Sequence, residues 1–219
     1  MIRQVQAVPY SVETRSVRTK TPLQGEKILS VAARLFATHR FHEARMEDIA
    51  AAAGVGKGTL YRYFKDKEEL YLALLARAAD QMAVLLSSDA IQKGEPRRRL
   101  EAFVETVLHY FDEHPHLFDL IQHAEALRPP DREFPWQKTR ELTIAVVRRI
   151  LDDGRAAGQF AEVDADLAVM LLLGGLRAVF RFGARPRAPE TPRLVVDLFI
   201  QGITAPAARG GRRPAAQTA

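Results

Sequence analysis

Residues 57 to 67 read KGTLYRYFKDK, gathering the cations Lys57, Arg62, Lys65 and Lys67, the hydroxyl of Thr59 and the phenols of Tyr61 and Tyr63 around a single acid, Asp66. These side chains suit binding rather than bond-breaking. Ammonium and hydroxyl groups meet phosphate oxygens, and the planar fork of arginine matches the paired acceptors on a guanine edge. At helical spacing Leu60, Tyr63 and Phe64 share one side, while Lys57, Gly58, Tyr61, Arg62 and Lys65 share the other. A short helix over 57–64 therefore has a core face and a basic-aromatic face. Arg62, at the middle of that face, is the candidate for a base edge; Lys57, Thr59, Tyr61 and Lys67 are placed for phosphates. Tyr63 reads chiefly as a packing residue with only its hydroxyl able to reach a nucleic-acid backbone, and Lys65 taken alone reads as a solvated charge.

A helix this short needs supports. Met46, Ile49, Ala50 and Ala53 share a face of a helix over 46–53, which Gly54 ends, and only Gly54-Val55-Gly56 separates it from the next helix. An earlier helix spans 21–39: Thr21 suits the N-cap, Pro22 the first helical position, and Ile28, Val31, Ala32, Leu35 and Phe36 form a stripe. After the basic segment, Asp66 and Glu69 stand as a capping box at the head of a long helix through Leu70, Leu74, Leu75, Ala78, Met82 and Leu85. Two short helices around a glycine turn, the second with an exposed cationic face, make a helix-turn-helix pattern.

The stretch IAAAAGVGKGTLYRYFKDKEEL resembles the signature of the TetR/AcrR family of bacterial one-component transcriptional regulators, closely over residues 23–75 and beyond them only in helix count and spacing. The resemblance implies an all-α fold of about nine helices: a three-helix DNA-binding domain joined to a larger helical domain for ligand binding and dimerisation. Carried over by position, Lys57, Gly58, Thr59, Tyr61, Arg62 and Tyr63 fall on the recognition helix, and Lys67 on the phosphate-contacting start of the connecting helix. Two positions depart from the family pattern. Gly56 stands where serine is common, and Arg45 stands where a hydroxyl usually caps the second helix. Losing that cap costs about 1 kcal/mol, and Arg45 is a candidate to reach a phosphate instead.

The charge distribution agrees with a polyanion at one end. Residues 1–67 carry twelve Lys/Arg against six Asp/Glu, a net of +6, whereas the remaining chain, with 20 against 21, nets −1. The 219 residues contain no cysteine, which excludes disulfides and thiolate metal sites and fits a reducing compartment. The apolar run LAVMLLLGGL at 167–176 is too short to span a bilayer, so no membrane partner is expected and the cytoplasm is the expected location.

Further helices are expected over 97–113, 115–127, 137–153, 164–182 and 191–203, with SSDAIQKGEP (87–96) as a loop. The expected organisation is a flexible arm at 1–20, the reading domain at 21–67, the effector and dimerisation domain at 68–204 and a disordered tail at 205–219. Phe103, Phe111, Phe118, Trp136 and Phe180 are candidates to line an effector pocket, with His109, His123 and Arg177 as polar anchors, although ordinary core packing is the readier account of each. His109, His114, His116 and His123 lie close together but lack metal-ligand spacing, and no metal or cofactor is expected. Gly174-Gly175 and the apolar surplus of the last two helices fit the dimer interface that the resemblance implies. No nucleophile elbow or phosphate loop supports an enzyme. The expectation is a homodimeric repressor of a pseudo-palindromic operator, released by a small molecule. The alternative is a helical sensor or interaction protein whose DNA-reading module is vestigial.

Overall fold

A computed structural model of the chain describes residues 22–38, 43–115, 117–118, 120–121 and 134–203. Nine helices and no strand occur among them: α1 (Pro22–Thr38), α2 (Met46–Ala53), α3 (Lys57–Tyr63), α4 (Lys67–Leu86), α5 (Asp89–Gln92), α6 (Pro96–Glu113), α7 (Gln137–Ala156), α8 (Ala165–Phe182) and α9 (Thr191–Ile203). The expected N-cap Thr21, the arm at 1–20 and the tail at 205–219 lie outside the described residues.

The stripe of α1 buries Ile28, Val31, Ala32 and Phe36 against α2 and α4. Leu60, Tyr63 and Phe64 close the reading domain from the α3 side, at 0%, 7% and 8% exposure. α4 belongs to both halves. Its first turns pack on α1 and its body on α6 and α7, so one apolar cluster runs unbroken from Ile28 to Ile200. α6 lies at the centre of the larger half, touching α4, α5, α7, α8 and α9.

Two expectations change. The segment 87–96 is not wholly a loop: α5 forms inside it because Ile91 is fully buried and Arg99 of α6 donates from Nε to the Ile91 carbonyl at 2.9 Å. α7 runs to Ala156, three residues past the expected end, because Gly154 lets the Phe160 ring fold back where a Cβ would sit only 2.1 Å away. Residues 115, 117–118 and 120–121 are helical, and the remainder of the expected 115–127 helix lies outside the described residues.

Candidate nucleic-acid interface

The turn between α2 and α3 is set by one left-handed residue. Gly54 adopts φ 66° and ψ 35°, its N–H donating to the Ala51 carbonyl at 3.0 Å while Val55 N–H reaches back to Ala50 at 3.0 Å. That paired closure ends α2 abruptly, and only glycine enters the left-handed region without steric cost. At the other end of α2, Arg45 occupies the N-cap with no side-chain cap bond, and Glu47 and Asp48 in the first turn favour the helix dipole instead. Gly56 caps α3 by backbone alone, with Thr59 and Leu60 N–H groups both donating to its carbonyl.

With the inner face of α3 fixed by Leu60 and Tyr63, its other side is forced outward. Lys57, Gly58, Tyr61 and Arg62 are exposed and Thr59 half-buried. A Cβ on Gly58 would meet nothing within 4 Å, so the backbone there is open to close approach by a ligand. The Arg62 guanidinium lies 5.9 Å from the Tyr63 ring centroid and the Lys57 ammonium 5.9 Å from that of Tyr61. Tyr63 itself turns inward. Its ring packs against α1, where a Cβ on Gly25 would stand 3.4 Å away, and its hydroxyl points to Gln24 Oε1 at 3.4 Å. The packing role therefore accounts for this ring, and the outward face is smaller by one tyrosine than the residue types alone imply.

α4 opens on the expected box with one shift of register. Glu69 N–H donates to Asp66 Oδ1 at 2.8 Å, but the Glu69 carboxylate returns to the N–H of Lys65 rather than Asp66. Lys67 is thus the first residue of a helix N-terminus, the wrong end for a cation by the helix's own dipole. Burial pushes its ammonium pKa down. A phosphate placed there meets the ammonium and the positive end of the helix dipole.

Two charged neighbours of this surface have no signal in the sequence. Glu47 of α2 holds Lys57 at 2.7 Å, and that partner, ahead of its own backbone, keeps the Glu47 carboxyl below its ordinary pKa while raising that of Lys57. A phosphate brought to Lys57 would have to displace this acid. Lys27 of α1 brings its ammonium to 3.8 Å from where a Cβ on Gly54 would stand, adding a cation beside the turn. Neither has a periodic signal; both depend on how the turn folds α2 back.

Of the effector candidates, the structure brings four rings together. Phe111 packs on Phe118 (6.2 Å between centroids), Trp136 (6.1 Å) and Phe180 (4.8 Å), and Phe118 meets Phe180 at 5.8 Å. The exposed Arg177 lays its guanidinium 5.9 Å from the Phe118 centroid. Phe103 is fully buried two turns earlier on α6. His109 does not join them. It sits on the outer side of α6, 73% exposed and 3.4 Å from Glu113, because the inward stripe of that helix runs through 100, 103, 104, 107, 108 and 111. His123 lies outside the described residues. Among the described residues no group of three or more His, Asp or Glu is arranged to hold a metal ion, and no helix is long and apolar enough to cross a membrane.

A glycine-closed turn, two supporting helices and a short third helix with outward cations define a helix-turn-helix protein. Comparison with known proteins agrees over both halves. Residues 28–74 match the model of bacterial regulatory proteins of the tetR family, and residues 93–182 the tetracyclin repressor-like C-terminal domain. The uncharacterized HTH-type transcriptional regulator Rv1255c of Mycobacterium tuberculosis is 33% identical over 195 residues, 89% of this chain and 92% of that protein. Among solved structures, the TetR family regulator PfmR of Thermus thermophilus superposes with a TM-score of 0.68 at 29% identity, over 80% of this chain and 97% of its own. FadR of Bacillus subtilis, solved with stearoyl-CoA, shares the fold at a TM-score of 0.68 and 22% identity, over 81% and 98% of the two chains. The chain belongs to the TetR family of bacterial transcriptional regulators, and its relatives are regulators rather than enzymes.

Proposed function

We propose that the chain acts in the cytoplasm as a homodimer, presents two α3 helices to a pseudo-palindromic operator, represses transcription there, and is released by a small molecule bound among the helices after α3. The outward face of α3 carries the reading: Lys57, Gly58, Thr59, Tyr61 and Arg62 offer cations, hydroxyls and bare backbone where a major groove would lie, flanked by Arg45, Lys65 and Lys67. Arg62 reads a base edge and the others set register on phosphates.

The last two helices support the dimer. Leu167, Met170 and Leu171 of α8 and Leu194 and Leu198 of α9 are more than half exposed. Gly174 and Gly175 are exposed too, and a Cβ on either would meet nothing within 4 Å. Inside an exposed helix each glycine costs about 0.5–1 kcal/mol relative to alanine, a cost a closely approaching partner helix offsets. An apolar stripe of this kind is the usual mark of a buried interface.

The ring cluster of Phe111, Phe118, Trp136 and Phe180 supports an effector with an apolar body, and the stearoyl-CoA bound by the FadR of Bacillus subtilis, a protein of this fold, is such a molecule. An effector releases DNA only by binding better to the arrangement that misplaces the two α3 helices, with a coupling of about 1–3 kcal/mol. Selection of bound duplex from a random pool tests the reading, with light scattering of the same sample. A two-fold symmetric site and a dimer mass are expected. Failure to enrich any sequence at low salt, or a monomer at micromolar concentration, would refute it.

A further inference from the structure

Beside the ring cluster one buried ion pair is only half closed. Arg187, in the segment before α9, lays its guanidinium 5.7 Å from the centroid of Phe180, the ring that Phe111 and Phe118 also meet. Its side chain is 8% exposed. Nε donates to Asp112 Oδ2 at 2.6 Å and Nη1 to the Val179 carbonyl at 2.8 Å. Nη2 and Asp112 Oδ1 are both buried, and among the described residues neither has a hydrogen-bond partner. Arg185 Nε stands 3.8 Å from Oδ1, past hydrogen-bonding reach. We propose that this open fork is the polar end of the ring-lined effector site and takes an uncharged group that both accepts and donates, a hydroxyl or a primary carboxamide, between Arg187 Nη2 and Asp112 Oδ1. This rests on the ring cluster receiving the effector.

Nε and Nη2 lie along one edge of a guanidinium, and an arginine that meets a carboxylate by that edge ordinarily gives each oxygen one N–H. Here half of that closure is missing, which leaves a donor and an acceptor next to each other and out of water. A buried polar group without a partner keeps its full desolvation cost, and a ligand that supplies the missing bond removes it. The charges select the class of ligand. Guanidinium and carboxylate already offset each other, so the pair itself calls for no counter-ion. A carboxylate or phosphate could take the Nη2 proton but would set a second anion against Oδ1, and an ammonium would face Nη2. A hydroxyl does neither, since its oxygen accepts and its proton donates. Both arms of the fork belong to the cluster: Asp112 directly follows Phe111, and Arg187 lies by Phe180. The expected anchor Arg177 differs, standing exposed at the Phe118 ring.

Trp136 packs 6.1 Å from Phe111 and is the chain's one tryptophan, so its fluorescence reports on the cluster. Titration of the full chain at pH 7 with benzyl alcohol, benzamide, toluene and benzoate, read at Trp136, tests the fork. Benzyl alcohol or benzamide should bind about fivefold or more tighter than benzoate and than the more apolar toluene. The Arg187→Met/Asp112→Leu variant should reverse the order of alcohol and toluene. Toluene binding as tightly as both the alcohol and the amide, the result of a fork already closed by a held water, overturns the proposal and leaves the ring-lined site standing. Benzoate binding tightest overturns it as well, as does an alcohol preference that survives in the folded variant. Four probes that all leave Trp136 unmoved overturn the ring-lined site and the fork with it. Should the variant fail to fold, anisole decides on the unaltered chain: this isomer of benzyl alcohol accepts but cannot donate. It should bind at least a few-fold more weakly than the alcohol, and equal binding overturns the bond to Asp112.

Discussion

α3 and α8 obey one rule on their inner faces and opposite rules on their outer ones. Leu60 and Tyr63 bury α3, and Ala168, Leu172, Leu176 and Phe180 bury α8, each at helical spacing. Outward, α3 offers Lys57, Tyr61 and Arg62, whereas α8 offers Leu167, Met170, Leu171 and two glycines. Inner faces therefore report only that a helix is packed; the class of partner is written outside. A cationic face is expensive to cover with apolar protein and favourable to cover with phosphate. An apolar face has the reverse preference. The shorter helix also borrows all its order, since seven residues do not hold a helix in water without tertiary support.

Breaking the apolar side should have the largest effect. Met170→Glu with Leu198→Glu should give a monomer by light scattering and weaken operator binding by about a hundredfold or more, because two half-sites no longer act together; a dimer that survives would place the interface elsewhere. On the cationic side, Arg62→Ala should cost about 1–3 kcal/mol and relax the preference at one base pair. Equal loss on every duplex would instead reduce Arg62 to a phosphate contact. Lys67→Ala should weaken all sequences alike and lower the salt slope by about 0.9, measured by titrating binding against salt. Glu47→Gln frees Lys57 from its acid and should raise affinity for all duplexes by a few-fold at most; unchanged affinity would mean Lys57 keeps away from DNA. Smallest of all, Gly56→Ser adds a capping hydroxyl where a Cβ meets nothing within 4 Å. It should add a few tenths of a kcal/mol to stability in a denaturant titration while leaving operator binding intact.

Much of the reading domain is legible in the sequence because its signals are local. Gly54, Asp66 and Glu69 act within a few residues of where they stand, and the structure puts each at the helix end that its type predicts. The inward turn of Leu60, Tyr63 and Phe64 follows from spacing alone. Signals fail where the deciding contact is distant. α5 depends on Arg99 reaching Ile91 from another helix, and the extra turn of α7 depends on Phe160 folding back over Gly154. His109, expected as a polar anchor, stands two residues before Phe111, and two residues along a helix turn a side chain to nearly the opposite side.

The fastening of α6 at both ends sets what the larger half can do. Arg97 near its start is paired with Asp197 of α9, and Asp112 near its finish takes Arg187 Nε at 2.6 Å from the segment just before α9. Arg187 reaches that place only over Gly183, where any Cβ would stand 2.4 Å from the Val179 carbonyl that Arg187 Nη1 holds at 2.8 Å. The central helix is thereby strapped to the outer one like a beam pinned at two points. It cannot tilt alone: any rotation of the beam is delivered through α9 to whatever α9 touches.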